Sequence, residues 1–186
     1  MSDNLAVRIS SDPALLKLIS NLDQPYYHIP NEYEDMIKKL SGMKSTDKGV
    51  LVSKVTTTED LQTQLKLVSA IQHCTDRIHD INTDLYVIQS RWKEMYNSAI
   101  KILTLNYFNE LDLLKDGVRK TLISVALHPI QSGIDKIDML IYIGEKTHKH
   151  LTATNWNLKM SSEIIQEYLS TFKYGSSNRV APDMEI

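Results

Sequence analysis

The residues of this chain able to do metal or nucleophilic chemistry are few, and their spacing decides how they can act. His73, Cys74 and His79 lie close together. A helix turns by about 100° per residue, so His73 and His79 point roughly 240° apart and cannot grip one ion. Glu145 and His148 share a helix face, with His150 nearby but rotated away. That is two ligands where zinc wants about four, and the plainer reading is a solvated or interface histidine pair. Glu94 and the other carboxylates have no obvious inward partner. No glycine-rich phosphate loop, Gly-x-Ser-x-Gly or His-Glu-x-x-His occurs. No catalytic residue, metal site or cofactor is expected, and so no enzyme.

A second constellation suits nucleic acid. Arg91, Trp92, Lys93 and Tyr96 are followed by Lys101, with no acidic residue between Glu94 and Glu110. Cations neutralise phosphates, and rings offer stacking faces worth ~1–3 kcal/mol per base. The competing reading is structural. Trp92 falls on an apolar seam and would be core, while Arg91 and Lys93 would be ordinary solvated charges.

These residues sit on the stretch that organises the chain, from Thr58 to about Leu105. No glycine or proline interrupts it. Ile71, Cys74, Ile78, Ile81, Leu85, Ile88, Trp92, Met95, Ala99 and Ile102 recur at alternating steps of three and four, the seam of a heptad. Thr58 is the expected N-cap, with Glu59 and Asp60 in the first turn where the helix dipole favours them. Such a helix is roughly 70 Å long. One small chain is not expected to cover it, so several copies would come together. A second seam starts at Ile134 and continues through Ile137, Ile141, Gly144, His148, Leu151, Asn155, Leu158, Ser162, Ile165, Leu169 and Phe172. Polar members at seam positions fix register and oligomer state at a cost in stability. Leu140, Ile143 and Trp156 widen its apolar face, as expected of a helix with more than one neighbour.

The flanks are shorter pieces. Asp12 is expected to cap a helix opened by Pro13, with Leu15, Leu16, Leu18, Ile19 and Leu22 on its apolar face. Pro25-Tyr26-Tyr27-His28-Ile29-Pro30 cannot be regular helix. Asn31 would cap a second helix ending at Gly42 as a left-handed residue. A polar linker follows at 44–49, and 50–55 has weak strand character. Residues 1–57 would form either a hook on a neighbouring subunit or a flap over their own core. Asn106 to Asn109 is the expected reversal after the long helix. A third helix is expected from about Leu111 to Leu127, weakened by Gly117, with His128-Pro129 as a break. The resulting division is 1–57, a loose N-terminal region with two short helices; 58–174, a helical core; and 175–186, a disordered tail.

Composition agrees with an all-α chain built as a long-helix bundle with coiled-coil-like seams, assembling as a homo-oligomer. Hydrophobic residues make up 42% and charged residues 24% of the 186, enough for a core in one domain. The net charge of −2 excludes a globally basic nucleic-acid binder but not a local patch. No apolar run approaches roughly 18 residues, so no membrane span is expected. The N-terminus lacks a secretory pattern, and the single Cys74 suits a reducing compartment, so a cytoplasmic location is expected.

Arg91-Trp92-Lys93-Glu94-Met95-Tyr96 has a basic-x-basic-x-x-Tyr spacing at the end of a long helix. Trp156-Asn157-Leu158-Lys159 has an aromatic-x-aliphatic-Lys spacing on a C-terminal helix. In both respects residues 59–170 resemble the UvsY-type recombination mediators of tailed phages. The resemblance implies a non-enzymatic factor that binds single-stranded DNA as a ring-like homo-oligomer. It further implies loading of a RecA-type recombinase, displacement of a single-strand-binding protein, and the host cytoplasm as the site of action. Arg91 and Lys93 would contact phosphates, Tyr96 would stack or pack beside them, and Lys101, Arg119 and Lys120 are further candidates for the same surface. A structural or assembly protein, such as a virion component or coiled-coil adaptor without nucleic-acid binding, explains the seams equally well.

Overall fold

In the computed structural model, which describes residues 2–42 and 58–175, the chain is all-α, and no strand occurs among the described residues. Six helices follow one another there: α1 (Ser2–Ser10), α2 (Pro13–Ser20), α3 (Asn31–Ser41), α4 (Thr58–Asp112), α5 (Asp116–Ala126) and α6 (His128–Gly175). Two 3-10 turns, Asn21–Asp23 and Pro25–Tyr27, carry the chain from α2 towards α3. The expected linker at 44–49, the strand-like run at 50–55 and the tail from 176 onward lie outside the described residues.

Local chemistry accounts for several boundaries. Asp12 caps α2, its Oδ1 accepting from the backbone N–H of Ala14 at 2.8 Å and of Leu15 at 3.0 Å. These are donors that a helix start otherwise leaves unpaired. Pro13 at the first helical position gives up an N–H that needed no partner. Gly42 follows α3 without a left-handed backbone, since no described glycine has positive φ. Its N–H instead continues the helical ladder to the Lys38 carbonyl at 3.0 Å.

Asn106 to Asn109 is not the reversal expected there. α4 continues to Asp112 through a kink at Tyr107, whose φ of −128° and ψ of 19° are non-helical. Its hydroxyl donates to the Asp12 carboxylate at 3.0 Å and lies 3.1 Å from the Arg8 carbonyl. The chain turns only after Asp112. Gly117 then falls in the first turn of α5 rather than its interior, with open space around it. His128 opens α6, and Pro129 stands in its first turn, where proline is tolerated.

By contact the chain divides into two compact units, Met1–Ile37 with Asp80–Gly144, and Lys38–His79 with Glu145–Ile186. In the first unit α4 and α6 run antiparallel. Trp92 meets Gly133, Gln89 donates to Asp138, and Asn82 meets Gly144, numbers rising on one helix as they fall on the other. Leu5, Ile9 and Leu15 pack into the same core as Met95, Ala99, Leu103, Leu111, Leu127, Ile130 and Ile134. α1 and α2 therefore form a flap on their own chain. Here the heptad reading needs correction. From Met95 the buried residues are four apart (Met95, Ala99, Leu103, Tyr107, Leu111), and Leu103 is buried in place of Ile102. Each step of four advances the buried line by about 40°, so it winds round α4 to meet several elements instead of one.

In the second unit the alternating steps hold along α4, while on α6 Thr147 is buried in place of His148 and two steps of four precede the alternation. Leu61, Gln64, Val68, Ile71, Thr75 and Ile78 are buried on α4, and Leu151, Asn155, Leu158 and Ser162 on α6. Cys74 is displaced to an intermediate position by buried Thr75. Pairing is again antiparallel, with Gln64 Nε2 donating to the Leu158 carbonyl at 3.3 Å and Asn155 Nδ2 to Gln72 Oε1 at 2.5 Å. Ile78, Leu85, Ile137 and Leu151 are fully buried in a single chain. The premise that one copy cannot shelter its own seams is therefore corrected for these residues, which a single chain buries; Ile165 and Leu169 at the end of the α6 seam are half-buried. No described helix is long and apolar enough to cross a membrane.

Candidate functional site

The six residues expected to touch nucleic acid do not share one face. Arg91 and Lys93 are two apart on a helix and so point about 200° from one another. Arg91 turns to the Pro25–Tyr27 turn: its Nη1 donates to the Tyr26 carbonyl at 3.1 Å, and its guanidinium lies 5.9 Å from the Tyr26 ring centre. Trp92 acts beside it. Its Nε1 donates to the Tyr27 carbonyl at 2.9 Å, its ring meets Tyr27 edge-on at 6.0 Å, and it fills the space that Gly133 leaves open. Together they strap the aromatic turn to α4. Tyr96 is half-buried against the first unit's core, in a packing position. Arg119 and Lys120 both reach Asp116, each at 2.7 Å, and hold its carboxyl below the usual carboxylate range.

Lys93 and Lys101 are exposed and about 80° apart on α4. Phe108, 59% exposed, follows them just beyond the kink. The sequence reading missed Phe108, although its place a turn or two past Lys101 was visible.

The metal candidates are also rearranged. His148 faces His79 with ring centres 5.7 Å apart. No group of three or more His, Cys, Asp or Glu able to hold a metal occurs among the described residues.

Among the described residues, the outer face of α6 in the second unit carries a line of exposed apolar side chains. Lys149, Ala153, Trp156, Met160 and Ile164 lie roughly opposite the buried line of Leu151, Asn155, Leu158 and Ser162, at about 100° per residue. Trp156 and Ile164 are each 62% exposed and Met160 is 40% exposed. Trp156, expected to widen the apolar face of a helix with more than one neighbour, is exposed in the single chain. The residue lies across the helix from that buried line. Its placement was legible from the spacing, because positions 155 and 156 turn by about 100° and cannot face one neighbour together.

Comparison of the chain with protein families, with curated proteins and with solved structures finds no match in any of the three.

Proposed function

We propose that this chain is a non-enzymatic helical assembly protein. In this reading it works in a reducing compartment, the cytoplasm, as a scaffold or adaptor that presents an apolar helix face to another protein surface. The observation that carries the reading is the Trp156–Met160–Ile164 line on α6, a large apolar side chain at each helical turn with solvent over it. Scattered exposed apolar residues are ordinary on any protein, whereas a contiguous line marks an interaction surface. The expected result is a mass above the monomer's 21.3 kDa in light scattering and no salt-dependent binding to an oligonucleotide. A strict monomer that binds the oligonucleotide overturns the assembly reading.

A second reading keeps the resemblance to recombination mediators, and exposed Lys93, Lys101 and Phe108 favour it. Two cations and a ring on neighbouring faces are the elements of a single-strand surface, and repetition in a homo-oligomer would multiply their weak contacts. A RecA-type recombinase and a single-strand-binding protein are then the partners. Fluorescence anisotropy with labelled single-stranded DNA tests it: Lys93→Ala with Lys101→Ala should lower affinity and reduce the salt slope by about 2. Equal affinity for the variant and the parent removes this reading.

A further inference from the structure

We propose that the outer face of α6 in the second unit is a self-association surface, on which a second copy of the chain docks antiparallel about Trp156. The inference rests on the assembly reading above and names its partner.

The shape is the first observation. An open groove of about 450 Å³ lies beside Trp156, lined by His148, Lys149, Thr152, Ala153, Trp156 and Asn157. Lys149, Thr152, Ala153 and Trp156 stand at steps of three, one and three, the four corners of the hole that receives one side chain in coiled-coil packing. The Lys149 stem adds apolar length to the wall while its ammonium stays in water.

Charge is the second. The N-terminal part of the face carries Lys146 and Lys149, and the C-terminal part carries Glu163 and Glu167. Like charges three or four residues apart repel along a helix. Each end also carries one opposing charge: Lys159, about 60° from Trp156, tempers the acidic end, and Glu145, about 20° from the Trp156 line, tempers the basic one, leaving the ends net negative and net positive. A parallel neighbour would set lysine on lysine. An antiparallel one sets the basic end of each copy on the acidic end of the other.

Register is the third, and it ties the first two together. Lys149 and Glu163 are each seven residues from Trp156, one heptad on either side. A two-fold axis at Trp156 therefore pairs Lys149 with Glu163 of the second copy, and does so twice. The same register lays Met160 of the second copy opposite Thr152, over the four-cornered hole. A flexible thioether suits an open groove of that kind. The face is its own complement under two-fold symmetry, which is what an isologous interface requires and what an unrelated partner would have to match by chance.

The test is sedimentation velocity on the full chain across a micromolar concentration series, with circular dichroism to check helicity. Trp156 is largely exposed, so Trp156→Asp should leave helicity unchanged, and it should raise the dimer dissociation constant about thirtyfold or more. Lys149→Glu or Glu163→Lys alone should weaken the dimer roughly three- to tenfold. Lys149→Glu combined with Glu163→Lys should restore affinity close to that of the parent. Association that persists unchanged in Trp156→Asp, or a double variant no better than the singles, overturns the α6 interface and leaves the assembly reading standing on another surface. A parent protein that stays monomeric throughout the series overturns both.

Discussion

The two units use the same antiparallel pairing of α4 with α6 and solve different packing problems with it. In the first, α1, α2 and α5 add further layers, the buried line on α4 winds to meet them, and the core is apolar around Met95, Leu103, Leu127 and Ile130. Glycines on α6 receive bulky partners from α4: Trp92 enters at Gly133, and Asn82 at Gly144. In the second, the buried line alternates along α4 and contains Gln64, Thr147, Asn155 and Ser162. The cluster of Val68, Ile71, Leu151 and Leu158 is small, and Gln64 Oε1 and Asn155 Oδ1 are buried without a hydrogen-bond partner, as is Asn82 Oδ1 in the first unit. A two-helix pair buries one stripe per helix, so a helix carrying a second apolar stripe leaves that stripe in water. The first unit's added layers cover the line from Met95 to Leu111, while Leu105, Leu113, Met139 and Tyr142 stay exposed singly around them. In the second, the exposed residues Trp156, Met160 and Ile164 instead follow one line along α6, which is the contrast the proposed interface rests on.

The sharpest way to break this contrast is to truncate the two tryptophans. Trp92→Ala should cost about 3 kcal/mol in urea unfolding, because it empties the Gly133 notch and releases the Tyr27 strap. Trp156→Ala should change the monomer's stability by no more than ~0.5 kcal/mol while weakening association. Equal losses for both would dissolve the distinction between the units.

The notches themselves come next. A Cβ at Gly133 would stand 2.0 Å from Trp92 Cζ3, a ring atom that the Tyr27 bond holds in place. Gly133→Ala should therefore destabilise by about 2 kcal/mol, despite the ~1 kcal/mol that alanine gains in helix propensity. Gly117→Ala meets nothing within 4 Å and should not destabilise. Thermal unfolding of the two variants side by side checks the pair.

Asp12 sharpens the picture of the first unit. Burial disfavours its charge, yet hydrogen bonds from Leu15, Asn106, Tyr107 and Ala14 outweigh that and hold its carboxyl below the ordinary value. A carboxylate lowered on folding stabilises above its unfolded pKa and loses that contribution as pH falls through the folded one. Stability should therefore drop with acidification below about pH 4, and Asp12→Asn should flatten that drop. Asp12→Ala, which also removes the cap and strands Tyr107, should cost about 2 kcal/mol at neutral pH. Tyr107 moves the other way: burial, its bond to Asp12 and that charge raise its pKa, with Arg8 opposing. Its contribution is present below the ordinary tyrosine value and is lost only in alkali.

The smallest effect belongs to the second unit. Asn155→Leu removes an amide whose Oδ1 has no partner and whose Nδ2 serves only half-buried Gln72. The change should be neutral or stabilise by up to about 1 kcal/mol. A large loss would mean that the polar seam contributes to stability rather than register.

By itself the sequence determined what is local or periodic. The Asp12-Pro13 helix start, the break before Pro129, the two long helices and most of the α6 seam follow from capping chemistry and from hydrophobic spacing along one helix. These depend on neighbours within a turn or two, and such neighbours are written in order. Tertiary structure alone decided what depends on residues far apart in the chain. It carried α4 past Asn109 because Tyr107 finds Asp12, moved burial from Ile102 to Leu103 because further helices wrap that end, and gave Arg91 to Tyr26 rather than leaving it beside Lys93. A helix face is apolar or polar by sequence, but whether it is covered depends on how many elements reach it, and that number is settled only when the layers come together.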